Sequence, residues 1–330
     1  IQPGKVKIDN DSNICFVKDH MPPVTIDFST YHAKEFYGYN SLNKILEQSM
    51  PHVDTLVFDS YQNLALNKDY NTFYIEIFFQ KKIREYLSLN QDNSVEFANK
   101  TKKFNYLSNK PREARVLTSA WITKNYSNQS DYNHTQSYQG RDFEQLLDEF
   151  VLAESLSLES KFLPTKWLST GAPYETQSAN YLGILYGDNS TNFYNIIKKQ
   201  ITPTVFSIVM EPVFWEHGCV LTEKYINAVF GGTIPIVNGY RAYKSIEQMG
   251  LDTFDDIIDT SSQFEKNSIL HVYNLLEKNK NVLDNALEII KDQSVQKRLI
   301  NNIKILENYN YNLARSRYSA AQLKFLTDFE

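Results

Sequence analysis

A lysine at the start of a predicted helix is the first residue whose position suggests a chemical role. The stretch from 218 to 240, GCVLTEKYINAVFGGTIPIVNGY, predicts a helix that begins at Thr222, Glu223 and Lys224, followed by a strand. The positive end of a helix dipole disfavours a cation, but its free N–H groups bind anions. Glu223 can accept hydrogen bonds from a ribose diol and Lys224 can neutralise a diphosphate, so a nucleotide would use both. The alternative is a solvent-exposed turn without a ligand.

Arg115 is a second candidate for binding an anion. The stretch from 102 to 125, KKFNYLSNKPREARVLTSAWITKN, predicts a strand and then a helix. Pro111 suits the first helical turn, where its missing N–H costs nothing. Arg115 presents a planar fork of N–H donors that suits phosphate oxygens. Arg112 is an alternative for the same role, and a surface arginine without a ligand is the alternative to both.

Alternating strands and helices predict the frame that positions these side chains. Such alternation favours a parallel, doubly wound sheet, which binds ligands in the crevice outside the carboxyl ends of its strands. Strands 204–211 and 233–238 flank the helix of Lys224, so the start of this helix is expected to face that crevice. The other predicted strands are 13–19, 24–29, 53–60 and the first part of 102–125, and the predicted helices are 41–50, 142–158 and most of 267–310. Less regular segments are 71–89, a strand or helix leading into a helix, and 125–141, a polar loop or mobile insertion.

The order of these motifs resembles the inverting α1,3-fucosyltransferases, a family with the GT-B fold. That family carries Phe-Glu-Asn-Ser, then Tyr-Val-Thr-Glu-Lys, a helix, and Gly-Thr-Val/Ile-Pro-Ile with a following Gly. The segments 210–213 (MEPV), 220–224 (VLTEK) and 232–239 (GTIPIVNG) are similar to these three motifs. Residues 253–261, TFDDIIDTS, look like the family's next strand.

A second match lies upstream. The family has a strand, a Ser-Asn pair and an arginine six residues after that Asn, which Ser108, Asn109 and Arg115 resemble. The resemblance implies that Arg115 clamps the donor diphosphate and that Glu223 and Lys224 contact the ribose and phosphates of GDP-fucose. Glu211, the glutamate of the first motif, is implied to belong to the same donor site.

The fold that the resemblance implies is α/β of the GT-B type, with two Rossmann-like parallel-sheet domains facing a cleft. Residues 1–100 would form the N-terminal acceptor-side domain, and residues 101–305 the nucleotide-sugar donor-binding domain. The tail 306–330 is expected to be helical and to pack back on the N-terminal domain.

The implied function is that of an inverting, fucosyltransferase-like glycosyltransferase, which moves a sugar from a GDP-sugar to a hydroxyl of a glycan acceptor. Pro212 stands where the family has Asn, and Val220 where it has Tyr. These differences leave two alternatives open. One is a GT-B transferase with another nucleotide-sugar donor, and the other is a non-catalytic fold that binds glycans or a protein partner.

Such a reaction needs a base on the acceptor hydroxyl, and an acidic residue of the N-terminal part would serve. We expect Asp19, after the first predicted strand, or Asp59, at the end of a later one. His20 and Glu76 are alternatives. Positive side chains and helix N–H groups would stabilise the departing diphosphate, so neither a metal nor another cofactor is obligatory.

Charge and cysteine content narrow the expected partners. The 330-residue chain has a net charge of −5, which disfavours a broad surface that follows nucleic-acid phosphates. Its two cysteines, Cys15 and Cys219, cannot build a cysteine-based zinc site and favour a reducing, cytoplasmic setting. No apolar run reaches membrane-spanning length, so we expect no transmembrane segment.

Overall fold

Two parallel β-sheets form the framework of the residues that a computed structural model of the protein describes. The first sheet has three strands in the order β1-β2-β3, and the second has four in the order β5-β4-β6-β7. Together with the helices they make the protein an α/β protein with parallel sheets, as predicted. The structure describes residues 14–17, 46–47, 51–52, 54–58, 68–74, 83, 86–88, 95–108, 113–136, 197–211, 221–265 and 267–308.

The first sheet confirms two predicted strands. β1 spans Ile14–Val17, β2 spans Thr55–Phe58 and β3 spans Asn71–Tyr74. Val17 of β1 lies opposite Phe58 of β2, and Phe58 opposite Tyr74 of β3, so the three carboxyl ends are level. Helical residues follow β3 at position 83 and at 86–88, which confirms a strand leading into a helix.

The second sheet carries the predicted anion-binding segments. β4 spans Lys102–Ser108, β5 spans Tyr132–Gln136, β6 spans Thr204–Val209 and β7 spans Ile234–Val237. Every residue of β6 is buried, as is typical of a parallel strand covered on both faces. Pro235 lies in β7, at the edge of the described sheet, where a missing N–H is tolerated.

Helices follow the strands of the second sheet and cover it. The helix that carries Lys224 buries Tyr225, Ile226, Val229 and Phe230, so one continuous apolar face packs against the sheet. The prediction that 267–310 is mostly helical is confirmed as far as residue 308. Six α-helices have described bounds: α1 (Glu113–Asn125), α2 (Glu223–Phe230), α3 (Ala242–Gln248), α4 (Ser268–Asp284), α5 (Ala286–Ile289) and α6 (Gln293–Glu307). In the described ranges, none of the helices is both long enough and apolar enough to cross a membrane.

The prediction of a loop over 125–141 is wrong for its first part. A 3₁₀ turn at Gln129–Asp131 leads into β5, which pairs with β4. The polar residues of β5 have partners on neighbouring elements: Lys102 Nζ donates to Asn133 Oδ1 over 2.6 Å, and His134 Nε2 lies 3.0 Å from Ser119 Oγ. β5 is rich in polar residues and shows no apolar periodicity. Since the partners of these polar residues are distant in sequence, local pattern could not predict the strand.

The prediction of a strand over 253–261 is also wrong, because this segment is a series of turns. Asp252 Oδ1 accepts from Phe254 N over 2.9 Å, and Asp259 Oδ1 accepts from Ser261 N over 2.8 Å. Aspartate side chains that bond to the backbone two residues on compete with strand pairing. Phe254 adopts a left-handed conformation, with φ of 54°, and Arg298 of α6 lies over its ring.

Several predictions fall on residues that the structure does not describe. These are the strand 24–29, the helix 142–158, Pro111, and the tail from residue 309 onward. Within the predicted helix 41–50, the two described residues, 46 and 47, are helical. The described strands of the first sheet precede residue 100 in the sequence, and those of the second sheet follow it. The sequence predicts a domain boundary at this point, but the division into domains stays a prediction.

Gly232 and Gly250 end helices α2 and α3 in the same way. Both have positive φ, +64° and +80°, and each donates its N–H to the carbonyl three residues back. In each case the next N–H bonds five residues back, which is the Schellman arrangement. They differ in their surroundings: a Cβ at Gly232 would lie 2.7 Å from Val95 Cγ1, whereas no atom lies within 4 Å at Gly250.

This difference predicts unequal costs for two matched substitutions. Gly250→Ala should lower the free energy of unfolding by about 1–2 kcal/mol, since only the left-handed backbone is strained. Gly232→Ala should cost roughly 1 kcal/mol or more beyond that, because Val95 must also move. Urea denaturation of both variants measures the difference, and equal losses would contradict the packing of Val95 against this turn.

Candidate functional site

The carboxyl edge of the second sheet gathers residues from three neighbouring strands. β4, β6 and β7 are adjacent and parallel, so the residues that follow them lie side by side. Ser108 ends β4, Glu211 lies two residues beyond β6, and Asn238 directly follows β7. The backbone N–H of Glu211 donates to Asn238 Oδ1 over 2.5 Å, which joins the ends of β6 and β7. Open parallel sheets bind their ligands at this edge.

Glu211 is a buried carboxylate held by the start of helix α2. It is 2% exposed, and its two oxygens accept from the N–H and the hydroxyl of Thr222, over 2.8 Å and 2.5 Å. Thr222 is the N-cap residue of α2, but its side chain caps no helical N–H. Its hydroxyl instead donates to Glu211 and accepts from Lys224 Nζ over 3.1 Å. The cap therefore ties the helix to the end of β6.

Lys224 lies between two carboxylates. Its Nζ is 2.9 Å from Glu223 Oε1 and 3.9 Å from Glu211 Oε2. The side chains of Glu223 and Lys224 are each 17% exposed, so the alternative of a fully solvent-exposed turn is wrong. The same geometry explains why the cation is tolerated at this end of the helix, since two acidic groups oppose the dipole.

The pKa values of the two glutamates are shifted in opposite directions. Burial raises the pKa of Glu211, helped by the charge of Glu223 and opposed by Lys224 and the Thr222 hydrogen bonds. Burial also acts to raise the pKa of Glu223, but the charge and hydrogen bond of Lys224 outweigh it and leave that pKa at about 2. Glu223 is therefore ionised at neutral pH, whereas Glu211 is the group closer to protonation.

Arg115 lies in the first turn of α1, which is the next described element after β4. It is 4% exposed, so the alternative of a surface arginine is wrong. The Tyr106 hydroxyl donates to its backbone carbonyl over 2.9 Å, which anchors the helix start to β4. Its Nε has no hydrogen-bond partner among the described residues, and neither has the buried hydroxyl of Ser108. Leaving such a donor without an acceptor costs about 1–3 kcal/mol, so phosphate oxygens suit this position.

A second group of polar residues surrounds the loop after β7, and the sequence did not reveal it. His271 of α4 accepts from Gly239 N at Nε2 over 3.0 Å, and its Nδ1–H donates to the Ser262 carbonyl over 2.7 Å. These two bonds fix a neutral tautomer. The Ser262 hydroxyl and Gln263 Oε1 are buried without a partner in the described part of the chain. No local sequence pattern indicates this group, because Gly239 and His271 are distant in sequence and come together only when α4 packs beside the loop after β7.

The proposed catalytic bases lie outside the described residues. β1 ends at Val17 and β2 at Phe58, and Asp19 and Asp59 follow them in sequence. Their alternatives His20 and Glu76, as well as Arg112, Pro212 and Val220, lie outside as well. The structure therefore brings together Glu211, Glu223 and Lys224, places Arg115 after the neighbouring strand, and leaves the bases as predictions.

Among the described residues, no three His, Cys, Asp or Glu side chains are grouped so that they could hold a metal ion. The two carboxylates of the site share Lys224 instead.

No protein-family model matches the chain, and neither a curated protein nor a solved structure matches it. The function therefore has to rest on the geometry and chemistry of the site.

The buried imidazole predicts how stability depends on pH. Burial lowers the pKa of His271 from 6.5 to about 4, although its bond to Ser262 and the charge of Glu265 oppose the shift. The unfolded chain therefore binds more protons between these values, and stability is lost as pH falls from about 6.5 toward 4. The loss should be on the order of 3 kcal/mol, and urea denaturation from pH 7 to pH 4 measures it.

His271→Gln is the matched control. Position 271 cannot titrate in this variant, whereas His134 is present in both proteins, so its contribution cancels in the comparison. The stability advantage of the wild type over this variant should shrink as the pH falls. An advantage that stays constant down to pH 4 would show that His271 is not held neutral by the Gly239 loop.

Proposed function

We propose that the protein is an inverting glycosyltransferase that uses a nucleotide-diphosphate sugar, with a GDP-sugar such as GDP-fucose as the first candidate donor. One observation carries the proposal. β4 and β6 are adjacent parallel strands: the helix that follows β4 carries a buried arginine, Arg115, whose Nε has no partner among the described residues, and β6 leads into the Glu211–Glu223–Lys224 cluster. A nucleotide diphosphate carries both the anionic oxygens and the ribose hydroxyls that these groups recognise.

Each side chain has a distinct part in this proposal. Arg115 binds diphosphate oxygens through its planar guanidinium, and Lys224 neutralises charge as a compact ammonium. Glu223, ionised and acceptor-only, accepts hydrogen bonds from the ribose diol. Glu211 keeps the helix start in place through Thr222, so the N–H groups of α2 remain at the carboxyl edge of the sheet.

The reaction would be a single displacement at the anomeric carbon. The acceptor hydroxyl of a glycan loses its proton to a base, and its oxygen forms the new bond as the bond to the diphosphate breaks. The electron pair leaves with the diphosphate, where Arg115, Lys224 and the N–H groups of α2 stabilise it. Asp19 or Asp59 is the proposed base, on an acceptor-side domain of residues 1–100 in a GT-B arrangement with a donor domain of residues 101–305.

A different nucleotide base or sugar is the second candidate. It is favoured by Pro212 and Val220, which replace donor-binding residues of the fucosyltransferase motifs. Thermal-shift titration with GDP, UDP, ADP and CMP separates the two, because the nucleotide that binds the folded state stabilises it by mass action. A larger shift with UDP than with GDP would favour this second candidate.

Substitution of the two cations tests the donor site. Lys224→Ala and Arg115→Lys should each lower turnover of the preferred nucleotide sugar by about 100-fold or more, because each removes a stabilising donor from the leaving diphosphate. Turnover is measured as release of the nucleoside diphosphate, with transfer confirmed by mass spectrometry of the glycan product.

Lys291→Ala is the matched control, since this exposed lysine pairs only with Glu288 in the described structure and lies far along the chain from the site. It should keep wild-type turnover. If both site variants also kept full turnover while remaining folded by circular dichroism, the donor site would be assigned wrongly. If the wild type bound nucleotide but gave no product with any donor, the non-catalytic alternative would hold.

A further inference from the structure

We propose that binding of a nucleotide-diphosphate sugar at the start of α2 is coupled to the uptake of one proton by Glu211. The inference rests on the proposed function, because it takes the donor diphosphate as the ligand of Lys224. It adds a regulation that the proposed chemistry does not require. Donor affinity would depend on pH through a residue that does not touch the donor.

Among the described residues, Lys224 is the one positive charge that acts on Glu211. In the described part of the chain, two charged groups act on its carboxylate, Lys224 as a cation and Glu223 as an anion. The described residues that hydrogen-bond to Glu211 are neutral: Thr222 donates to both of its oxygens, and Asn238 accepts from its backbone N–H. At 2% exposure, water cannot replace the ammonium as a source of stabilisation.

Lys224 cannot serve a diphosphate and the two glutamates equally well. Its Nζ lies 3.9 Å from Glu211 Oε2, a distance beyond direct hydrogen bonding, and 2.9 Å from Glu223 Oε1. A diphosphate at the helix start brings further negative charge beside Glu211 and draws the ammonium outward. Both effects favour the neutral form of a buried carboxyl group, because such a group takes up a proton rather than remain as an unpaired charge.

Glu211, and not Glu223, is the group that takes the proton. Glu223 is hydrogen-bonded directly to Lys224 and is partly exposed, so it keeps both a cation and some solvent. Burial already raises the pKa of Glu211, whereas the pKa of Glu223 is held at about 2. The Thr222 hydroxyl can act as donor or acceptor, so its contact with Glu211 survives protonation.

Calorimetric titration in two buffers with different ionisation enthalpies measures the proton directly. The probe is a nucleotide-diphosphate sugar, chosen because its diphosphate is esterified at both ends and has no group that titrates near neutral pH. Titrations from pH 5.5 to 9 should show an uptake that peaks at about one-half to one proton per ligand, at a pH between the two pKa values of Glu211 in the free and bound protein. Affinity should weaken as the pH rises through that range.

Glu211→Gln should abolish the uptake and make the affinity independent of pH, because the amide keeps the shape of the side chain without its proton equilibrium. Glu247→Gln removes an equal charge from an exposed position on α3 and should keep the wild-type uptake. If the glutamine variant fails to fold, infrared difference spectroscopy of the wild type should show a new protonated carboxyl band when the ligand binds.

The outcomes separate this inference from the proposed function. Binding without proton uptake between pH 5.5 and 9, or without the new carboxyl band, would overturn the inference and leave the donor site standing. Uptake that persists in Glu211→Gln would overturn the assignment to this residue. A wild type that binds no nucleotide-diphosphate sugar would overturn both the inference and the proposed function.

Discussion

The hydrogen bonds from Thr222 to the buried carboxylate of Glu211 connect three elements of the fold. They fix the start of α2 to the end of β6, and the backbone of Glu211 continues the link to β7 through Asn238. A buried carboxylate is stable only when its oxygens are satisfied and a cation lies near, and here Lys224 is that cation. The position of the lysine at the helix start follows from this constraint, as does the placement of the helix N–H groups at the carboxyl edge of the sheet.

Local pattern was enough to predict the elements that carry this constraint. The mostly apolar run of β6, the 3.6-residue spacing of α2 and the two glycines after it can each be recognised without tertiary information. β5 was missed because its polar residues find their partners on β4 and α1, and the turns at 253–261 were mistaken for a strand because aspartate side chains replace the strand ladder. In both cases the hydrogen bonds that decide the local structure involve polar side chains, and the spacing of apolar residues contains no information about them.

The candidate site also has a part that the sequence could predict and a part that it could not. Glu223, Lys224 and Arg115 could be predicted because charged residues at helix starts after strands have a recognisable position in the sequence. The burial of Glu211 and its competition with Glu223 for one ammonium depend on the register of β6 against β7, which the sequence does not contain. The polar group of Gly239, His271, Ser262 and Gln263 depends on how α4 packs, so its position beside the end of β7 emerges only from the structure.

A crystal structure of the protein with a bound nucleotide-diphosphate sugar tests the central claim most directly. The account predicts diphosphate oxygens within about 2.7–3.2 Å of Lys224 Nζ and of the Arg115 guanidinium, at the carboxyl ends of β4 and β6. It also predicts a ribose hydroxyl against the Glu223 carboxylate. A nucleotide bound elsewhere on the protein, with Lys224 still between its two glutamates and Arg115 without a phosphate, would contradict the account.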